Sequence, residues 1–248
     1  MKLPGAIRSQ GADVVANGVR YRTWAPGKEK VEVVIFSAVN MAERSVSLGK
    51  EPGGYFSTID PEARAGDRYK YRLDGQEWPD PASRFNPEGV HGAAAVIDPD
   101  DFTWQDGGWK PPPVSELIIY ELHVGTFTTE GTFRAAIEKL DHLVALGVTA
   151  LEIMPVADFA GQRNWGYDGV LLYAPARVYG QPNEFRALVD AAHARGLAVI
   201  LDCRLQPARA GRQLPRLLQP RLLQSRTQNP MGRCPEFRAA TGAGFFPR

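Results

Sequence analysis

One short segment holds the densest group of side chains able to bind or act on a ligand. It combines two aromatic rings with three hydrogen-bonding groups, namely Trp165, Tyr167, Arg163, Asn164 and Asp168. A sugar ring presents an apolar C–H face and a rim of hydroxyls, so this combination suits a carbohydrate. The competing interpretation is that Trp165 and Tyr167 pack as structural side chains at the mouth of a barrel.

Two single residues outside this segment could also do chemistry. His123 and Asp202 each follow an apolar run typical of a strand, and in parallel α/β folds the functional residues gather where strands end. His123 is either a ligand-binding or acid–base group or a structural histidine. Asp202 is a functional carboxylate, an anchor for one, or merely a cap at the end of the strand. No pair of histidines has the spacing of metal ligands, and no glycine-rich phosphate loop follows a strand, so we expect neither a metal nor a cofactor.

Alternating strands and helices after Pro113 must position these residues. We predict strands at 117–121, 149–154 and 197–201, helices at 132–146 and 185–195, and a long loop at 155–180. Thr132 and Asn183 are the predicted helix caps, and Gly147 and Gly196 are the predicted stops. The first strand is a continuous apolar run up to its last residue, Glu121, which predicts burial on both faces of a parallel sheet. Either a barrel or an open doubly wound sheet fits this order.

Residues 18–99 have the pattern of β structure. The alternating runs VRYRTW, VEVVIF and RYKYRL, separated by turn signals such as Asp74-Gly75, predict a small β-sandwich. A proline-rich stretch at 106–113 then predicts a stiff linker. Several aromatic residues of the strands could bind an α-glucan, with core or interdomain packing as the alternative. They are Trp24, Tyr55, Tyr69, Tyr71 and Trp78.

Several of these segments resemble glycoside hydrolase family 13, the α-amylase clan. YELHVGTF at 120–127 is similar to its first barrel strand, and LAVILD at 197–202 to the strand that opens its first conserved region. YRTWAP at 21–26 is similar to the β-sandwich that precedes the barrel. MPVADF at 154–159 and QRNWGYDG at 162–169 resemble the trehalose-releasing members, whereas glycogen branching enzymes look different in this loop. The resemblance covers residues 10–202.

This resemblance implies a fold that combines β and α/β parts. An immunoglobulin-like β-sandwich is expected at 1–105, followed by the proline-rich linker at 106–113. The first three β/α units of a (β/α)8 TIM barrel are expected at 114–202. An unstructured tail is expected at 203–248.

The resemblance also implies an activity and a set of substrate-binding residues. The trehalose-releasing members hydrolyse the α-1,4-glucosidic bond next to the terminal trehalose of maltooligosyl trehalose, with retention of configuration. Tyr167 matches the aromatic residue that stacks on the sugar at the cleaved position, and Asp202 matches the first residue of the D-x-x-x-N-H region. The substrate-binding residues expected on this basis are Trp165, Tyr167, Asp168, Asp202 and His123.

The same resemblance predicts that this chain is catalytically inactive. In the family, an aspartate nucleophile, a glutamate acid–base and a second aspartate come from the fourth, fifth and seventh strands, and the sequence has only three. Residues 203–207, which follow Asp202, supply neither the asparagine nor the histidine of the conserved region. The alternatives are a non-catalytic α-glucan-binding fragment and a relative of 1,4-α-glucan branching enzymes.

The composition changes abruptly after Asp202. Residues 203–248 contain nine arginines, no lysine and both cysteines of the chain. A disordered basic arm is one interpretation, and a reading-frame shift is the other. Reading each codon one base later turns Met231 into tryptophan and permits T-P-W-G at 229–232 and A-L-N-F at 234–237, strings expected of the family. One position, at Pro207-Ala208, cannot yield the expected histidine. We predict a frame shift after Asp202.

Charge and hydropathy restrict the classes of partner. The formal charge is +1 and residues 1–202 contain no basic stripe, so no nucleic-acid partner is expected, the arginine-rich tail being the one alternative. No apolar run approaches the roughly 20 residues of a membrane span, and the N-terminus lacks the apolar core of a signal peptide. We therefore predict a cytoplasmic protein with no membrane partner. The sequence leaves the oligomeric state open.

Overall fold

Two facing antiparallel sheets form the N-terminal part of the structure, a computed structural model that describes residues 10–39 and 43–203. Their strands are β1 (Gly11–Val15), β2 (Gly18–Trp24), β3 (Val31–Phe36), β4 (Glu43–Ser47), β5 (Gly49–Lys50), β6 (Tyr55–Asp60), β7 (Arg68–Leu73), β8 (Gln76–Trp78) and β9 (Ala94–Ala95). One sheet has the order β1-β2-β6-β5, and the other has the order β4-β3-β7-β8 with β9 also paired to β7. This arrangement confirms the predicted β-sandwich.

Alternating side chains of both sheets fill one core. Val19 and Tyr21 of β2 and Tyr69 and Tyr71 of β7 are almost completely buried. The rings of Tyr21 and Tyr69 meet edge to face across the sandwich with centroids 5.1 Å apart. Tyr69 and Tyr71 therefore contribute to the core, as the packing interpretation predicts, because alternate residues of a strand point to the same face.

A parallel sheet of three strands begins after the proline-rich stretch. Its strands are β10 (Ile119–Leu122), β11 (Ala150–Ile153) and β14 (Ala198–Leu201), with β11 in the centre and Ile119, Ala150 and Ala198 in register. The α-helices are α1 (Val124–Phe127), α2 (Phe133–Ile137), α3 (Leu140–Ala145) and α4 (Pro182–His193), and β12 (Ala157–Asp158) and β13 (Leu171–Pro175) form an antiparallel pair. Three short 3-10 helices, at Pro52–Gly54, Pro99–Asp101 and Val114–Glu116, complete the described elements. This order confirms the predicted β/α units. It also places a two-stranded ribbon inside the predicted loop 155–180.

The predicted helix at 132–146 forms as two short helices, α2 and α3. Thr132 caps the first as predicted, since its Oγ1 accepts a hydrogen bond from Ala135 N at 3.2 Å. Gly147 follows the second with φ of 83°. Between them, Glu138 N donates to Ala135 O and Lys139 N donates to an oxygen three residues back. These tighter bonds interrupt the regular helical ladder.

Helix α4 begins earlier than predicted, because its cap is Gln181 and not Asn183. Pro182 occupies the first helical position, where the lack of an N–H costs nothing. Glu184 accepts a hydrogen bond from Gln181 N at 2.8 Å and so closes the first turn. Asn183 lies within that turn, where its Oδ1 accepts from Arg186. The predicted stop is confirmed, since Gly196 has φ of 77°.

The expectation that the first parallel strand is buried on both faces is wrong for the described residues. Ile119 of β10 is 48% exposed and Tyr120 is 38% exposed, while Leu122 is buried. The physical reason is that the described residues cover the two faces of this strand only in part, and β10 is also an edge strand among them because it pairs with β11 alone. The apolar run therefore predicts the strand correctly, but not the exposure of its side chains in the described part of the chain.

The predicted linker at 106–113 is packed along part of its length. Gln105 N donates to Asp190 Oδ1 of α4 at 2.8 Å, and Trp109 stacks on His193 of the same helix.

The predicted disordered tail from residue 204 onward lies outside the described residues. No helix in the described part of the chain combines the length and apolar character that crossing a membrane requires.

Candidate functional site

Three segments that carry the predicted site residues follow the three parallel strands. His123 comes directly after β10, and Asp202 comes directly after β14. Residues 162–169 lie between β12 and β13, in the segment that follows β11. Because the strands are parallel and in register, their carboxyl ends lie at one edge of the sheet. This is the edge where α/β proteins assemble functional sites.

Asn164 organises the loop that carries the two aromatic residues. Its Oδ1 accepts hydrogen bonds from the main-chain nitrogens of Gly166 at 2.7 Å, Tyr167 at 3.0 Å and Asp168 at 3.4 Å. Asparagine side chains stabilise turns in this way. Gly166 has φ of 91°, and a Cβ there would lie 2.9 Å from Pro155 O, so the turn requires glycine.

The loop, which we call the aromatic loop (residues 164–168), presents its rings at the surface. Trp165 is 63% exposed and Tyr167 is 42% exposed. Both rings are therefore surface groups of the described part of the chain. Asp168 is also exposed.

His123 connects the end of β10 to the aromatic loop. Its Nε2 lies 2.7 Å from the main-chain oxygen of Asn164, a residue 41 positions later in the chain. Its ring also tilts against the ring of Trp165, with centroids 5.4 Å apart. On the other side of the ring, the Thr126 hydroxyl lies 3.4 Å from Nδ1. His123 is thus in direct contact with the loop that carries the aromatic residues.

Tyr179 is a member of this cluster that the sequence did not single out. Its hydroxyl lies 3.2 Å from His123 Nε2 and 3.4 Å from Asn164 O. Burial raises the pKa of Tyr179 to about 12, so the hydroxyl keeps its proton at neutral pH. Gly125 leaves room for both rings, because a Cβ there would lie 2.9 Å from Tyr179 and 3.0 Å from His123.

A buried ion pair holds the segment that leads into the aromatic loop. Arg177 Nη1 lies 3.2 Å from Asp158 Oδ1, and the same guanidinium donates to the main-chain oxygens of Phe159 and Gly161. Asp158 is completely buried. Burial raises the pKa of the Asp158 carboxyl although Arg177 opposes the shift. Sequence inspection missed this pair because its partners are separated by the whole loop.

A main-chain hydrogen bond positions Asp202 at the end of β14. Its nitrogen donates to Ile153 O at 2.9 Å, which continues the ladder between β11 and β14. The half-buried side chain therefore lies at the same sheet edge as His123 and the aromatic loop. In the described part of the chain, no three His, Cys, Asp or Glu side chains form a group that could hold a metal ion.

A cavity of about 420 Å³ adjoins this region on the side of α3. Its lining comes from β10, α1 and α3 and includes Tyr120, Phe127, His142 and Leu146. His123 also lines it, but residues 164–168 do not. The predicted sugar-facing rings therefore lie on an open surface beside the cavity and not within it.

Two family models match the chain and together cover all of the described residues. The carbohydrate-binding module 48 (isoamylase N-terminal domain) matches residues 8–99. The catalytic domain of α-amylases matches residues 84–205. The second match ends within three residues of the composition change after Asp202.

Individual relatives agree with these matches. The malto-oligosyltrehalose trehalohydrolase of Saccharolobus solfataricus is 50% identical over 188 residues, which are 75% of this chain and 32% of that protein. The malto-oligosyltrehalose trehalohydrolase of Deinococcus radiodurans is 48% identical over 186 residues, or 75% of this chain and 30% of that protein. The chain thus spans about a third of the length of the curated relatives it matches.

A solved structure gives the same result for the fold. The crystal structure of a protein from Salmonella typhimurium that is named as an α-amylase superposes on this chain with a TM-score of 0.74. The two sequences are 45% identical. The superposition covers 79% of this chain and 33% of that protein.

Proposed function

The chain belongs to glycoside hydrolase family 13, the α-amylase family, and on that basis we propose that it derives from an enzyme that releases trehalose from maltooligosyl trehalose. The bond cleaved is the α-1,4-glucosidic bond next to the terminal trehalose. Relatives named for this activity are 48–50% identical to the chain over three quarters of its length. The substrate class that the site would take is an α-glucan with a trehalose end.

One structural observation supports this proposal most strongly. The aromatic loop presents Trp165 and Tyr167 as exposed rings at the sheet edge that also carries Asp202. Aromatic faces stack on the apolar face of a sugar, while carboxylates hold its hydroxyls. We assign sugar stacking to Trp165 and Tyr167, and hydroxyl binding to Asp168 and Asp202. His123, the remaining residue predicted to bind substrate, contacts the loop itself.

We further propose that these 248 residues bind substrate without hydrolysing it. A retaining glycosidase needs a nucleophile and an acid–base carboxyl about 5 Å apart, on either side of the scissile bond. In the family these groups come from strands beyond the third. Residues 203–248 permit family strings such as T-P-W-G when they are read in a shifted frame. This supports the proposal that the catalytic carboxylates are lost from this product.

The N-terminal module offers a second candidate function, namely binding of α-glucan by the sandwich. The carbohydrate-binding module match at residues 8–99 favours it. The half-buried rings of Trp24 and Tyr55 lie at the ends of neighbouring strands, and the guanidinium of Arg22 sits 3.9 Å above the Tyr55 ring. Such a surface could stack on a glucan.

Calorimetric titration with maltooligosyl trehalose separates the two functions. If the aromatic loop binds the sugar, Trp165→Ala and Tyr167→Ala each weaken binding about tenfold, because each removes a stacking surface. Trp24→Ala and Tyr55→Ala then leave the affinity unchanged. The opposite pattern assigns binding to the N-terminal module. A wild-type chain that binds no maltooligosyl trehalose rejects both functions.

A further inference from the structure

We propose that His123 is a positioning residue, whose Nε2–H holds the aromatic loop in its sugar-facing conformation through the main-chain oxygen of Asn164. This proposal rests on the proposed function, because the loop is the part that would face the sugar. It assigns to His123 a role other than direct contact with substrate or acid–base chemistry.

The distance to Asn164 determines which ring nitrogen carries the proton. A carbonyl oxygen only accepts hydrogen bonds, so Nε2, at 2.7 Å from Asn164 O, must be the donor. The hydroxyl of Tyr179, 3.4 Å from the same oxygen, is then a second donor to it. The two donors use the two lone pairs of a single carbonyl. Both come from outside the aromatic loop.

The second nitrogen of His123 is also engaged. The Thr126 hydroxyl lies 3.4 Å from Nδ1. That hydroxyl lies equally close to the main-chain oxygen of His123, at 3.3 Å. Since Nε2 already donates to Asn164 O, this nitrogen is used within the protein, whereas the rings of Trp165 and Tyr167 are exposed.

Asn164 links the hydrogen bond from His123 to the rest of the aromatic loop. Its main-chain oxygen is held from outside, while its side-chain oxygen accepts from the nitrogens of residues 166–168. Releasing the first contact frees the residue on which the whole turn depends. The Trp165 ring, which tilts against the His123 ring, loses a neighbour at the same time.

Two substitutions of similar size distinguish the Nε2 donor from the rest of the side chain. In His123→Gln the amide nitrogen can reach the position of Nε2, whereas in His123→Asn it reaches only the position of Nδ1. Hydrogen–deuterium exchange of the full chain, followed in peptides that cover residues 162–170, reports the loop without any sugar present. We expect His123→Asn to speed exchange of these amides about tenfold, and His123→Gln to restore it to within about twofold of wild type.

Tyr179→Phe provides a second variant that leaves His123 intact. It removes the weaker of the two donors to Asn164 O, so we expect a smaller increase in loop exchange than for His123→Asn. Peptides of β2 and β6 in the sandwich serve as the internal control and should exchange as in wild type in all three variants.

Several results would overturn the proposal. The first is that the loop amides exchange equally fast in His123→Asn and His123→Gln. The second is that they exchange in His123→Asn as slowly as in wild type. The third is that they show no protection from exchange in the wild-type chain. A loss of protection in His123→Asn that spreads equally to β11 would reject a local role too. Titration with maltooligosyl trehalose then separates the two claims, because a loop held by His123 in a chain that binds no sugar refutes the proposed function alone.

Discussion

The indole of Trp109 stacks on the imidazole of His193, with ring centroids 3.8 Å apart and planes inclined by only 11°. His193 Nδ1 in turn lies 2.9 Å from Asp106 Oδ2, and both side chains are only 9% exposed. Together with the bond from Gln105 N to Asp190, these contacts attach the proline-rich stretch to helix α4. This stretch is therefore part of the packed structure and not a free spacer.

The first prediction concerns the stability of this attachment. Trp109→Ala removes the stacked ring and should lower the free energy of unfolding by about 1–3 kcal/mol, since an aromatic pair contributes beyond its buried area. Urea denaturation followed by circular dichroism measures the change.

Trp165→Ala is the matched control, because Trp165 is 63% exposed. We expect it to change the free energy of unfolding by less than about 0.5 kcal/mol. Equal effects of the two substitutions would contradict a structural role for the Trp109–His193 stack.

The second prediction concerns the buried carboxyl of Asp80 in the sandwich. Burial raises the pKa of Asp80, although Tyr69 and Ala82 N donate hydrogen bonds to it at 2.6 Å and 2.9 Å. The folded state then holds the proton at pH values where the unfolded chain releases it. The free energy of unfolding should therefore fall as the pH rises from about 4, the unfolded pKa, to the raised folded pKa.

Asp80→Asn isolates this contribution because it cannot titrate. The stability of the variant relative to wild type should increase as the pH rises above about 4. Tyr69→Phe removes a hydrogen bond that lowers the pKa of Asp80, so the decline should extend to higher pH. A difference between Asp80→Asn and wild type that stays constant from about pH 4 to about pH 8 would refute the assignment.

The third prediction concerns the ion pair between Asp158 and Arg177, which lie before and after the aromatic loop in the chain. Arg177→Ala leaves Asp158 buried without its cation and should cost about 3–5 kcal/mol in unfolding free energy. Adding Asp158→Asn removes the stranded charge, so the double variant should be more stable than Arg177→Ala alone. A double-mutant cycle measures the coupling between the two residues. Additive effects would show that the contact at 3.2 Å contributes nothing.

The periodicity of hydrophobic residues in the sequence predicted the strands in which apolar and polar residues alternate clearly. The runs of β2, β3 and β7 and the capped start of α2 at Thr132 follow from their own residues. Strand β4 was not predicted from the sequence. Its residues, ERSVS, are largely exposed and show no clear alternation of apolar and polar types, and the strand forms through its pairing with β3. Strand β1 was not predicted for a similar reason. It contains Gly11 and Asp13, which are uncommon in strands, and it forms through its pairing with β2.

The candidate site was predictable in its residue types and not in its contacts. Aromatic and polar residues crowded into 163–168 were visible in the sequence, as were the strand ends at His123 and Asp202. The bond from His123 to Asn164 and the pairing of Asp158 with Arg177 join distant segments. Such contacts depend on how the strands and the ribbon pack, which no local pattern specifies.

Trehalose release tests the central claim most directly. The purified 248-residue chain and the product of a gene from which one base near codon 203 has been removed should be incubated with maltooligosyl trehalose, with the Saccharolobus solfataricus relative as the positive control. We expect trehalose from the frame-corrected product and none from the 248-residue chain. Release of trehalose by the 248-residue chain, or none by the frame-corrected product, would contradict the account.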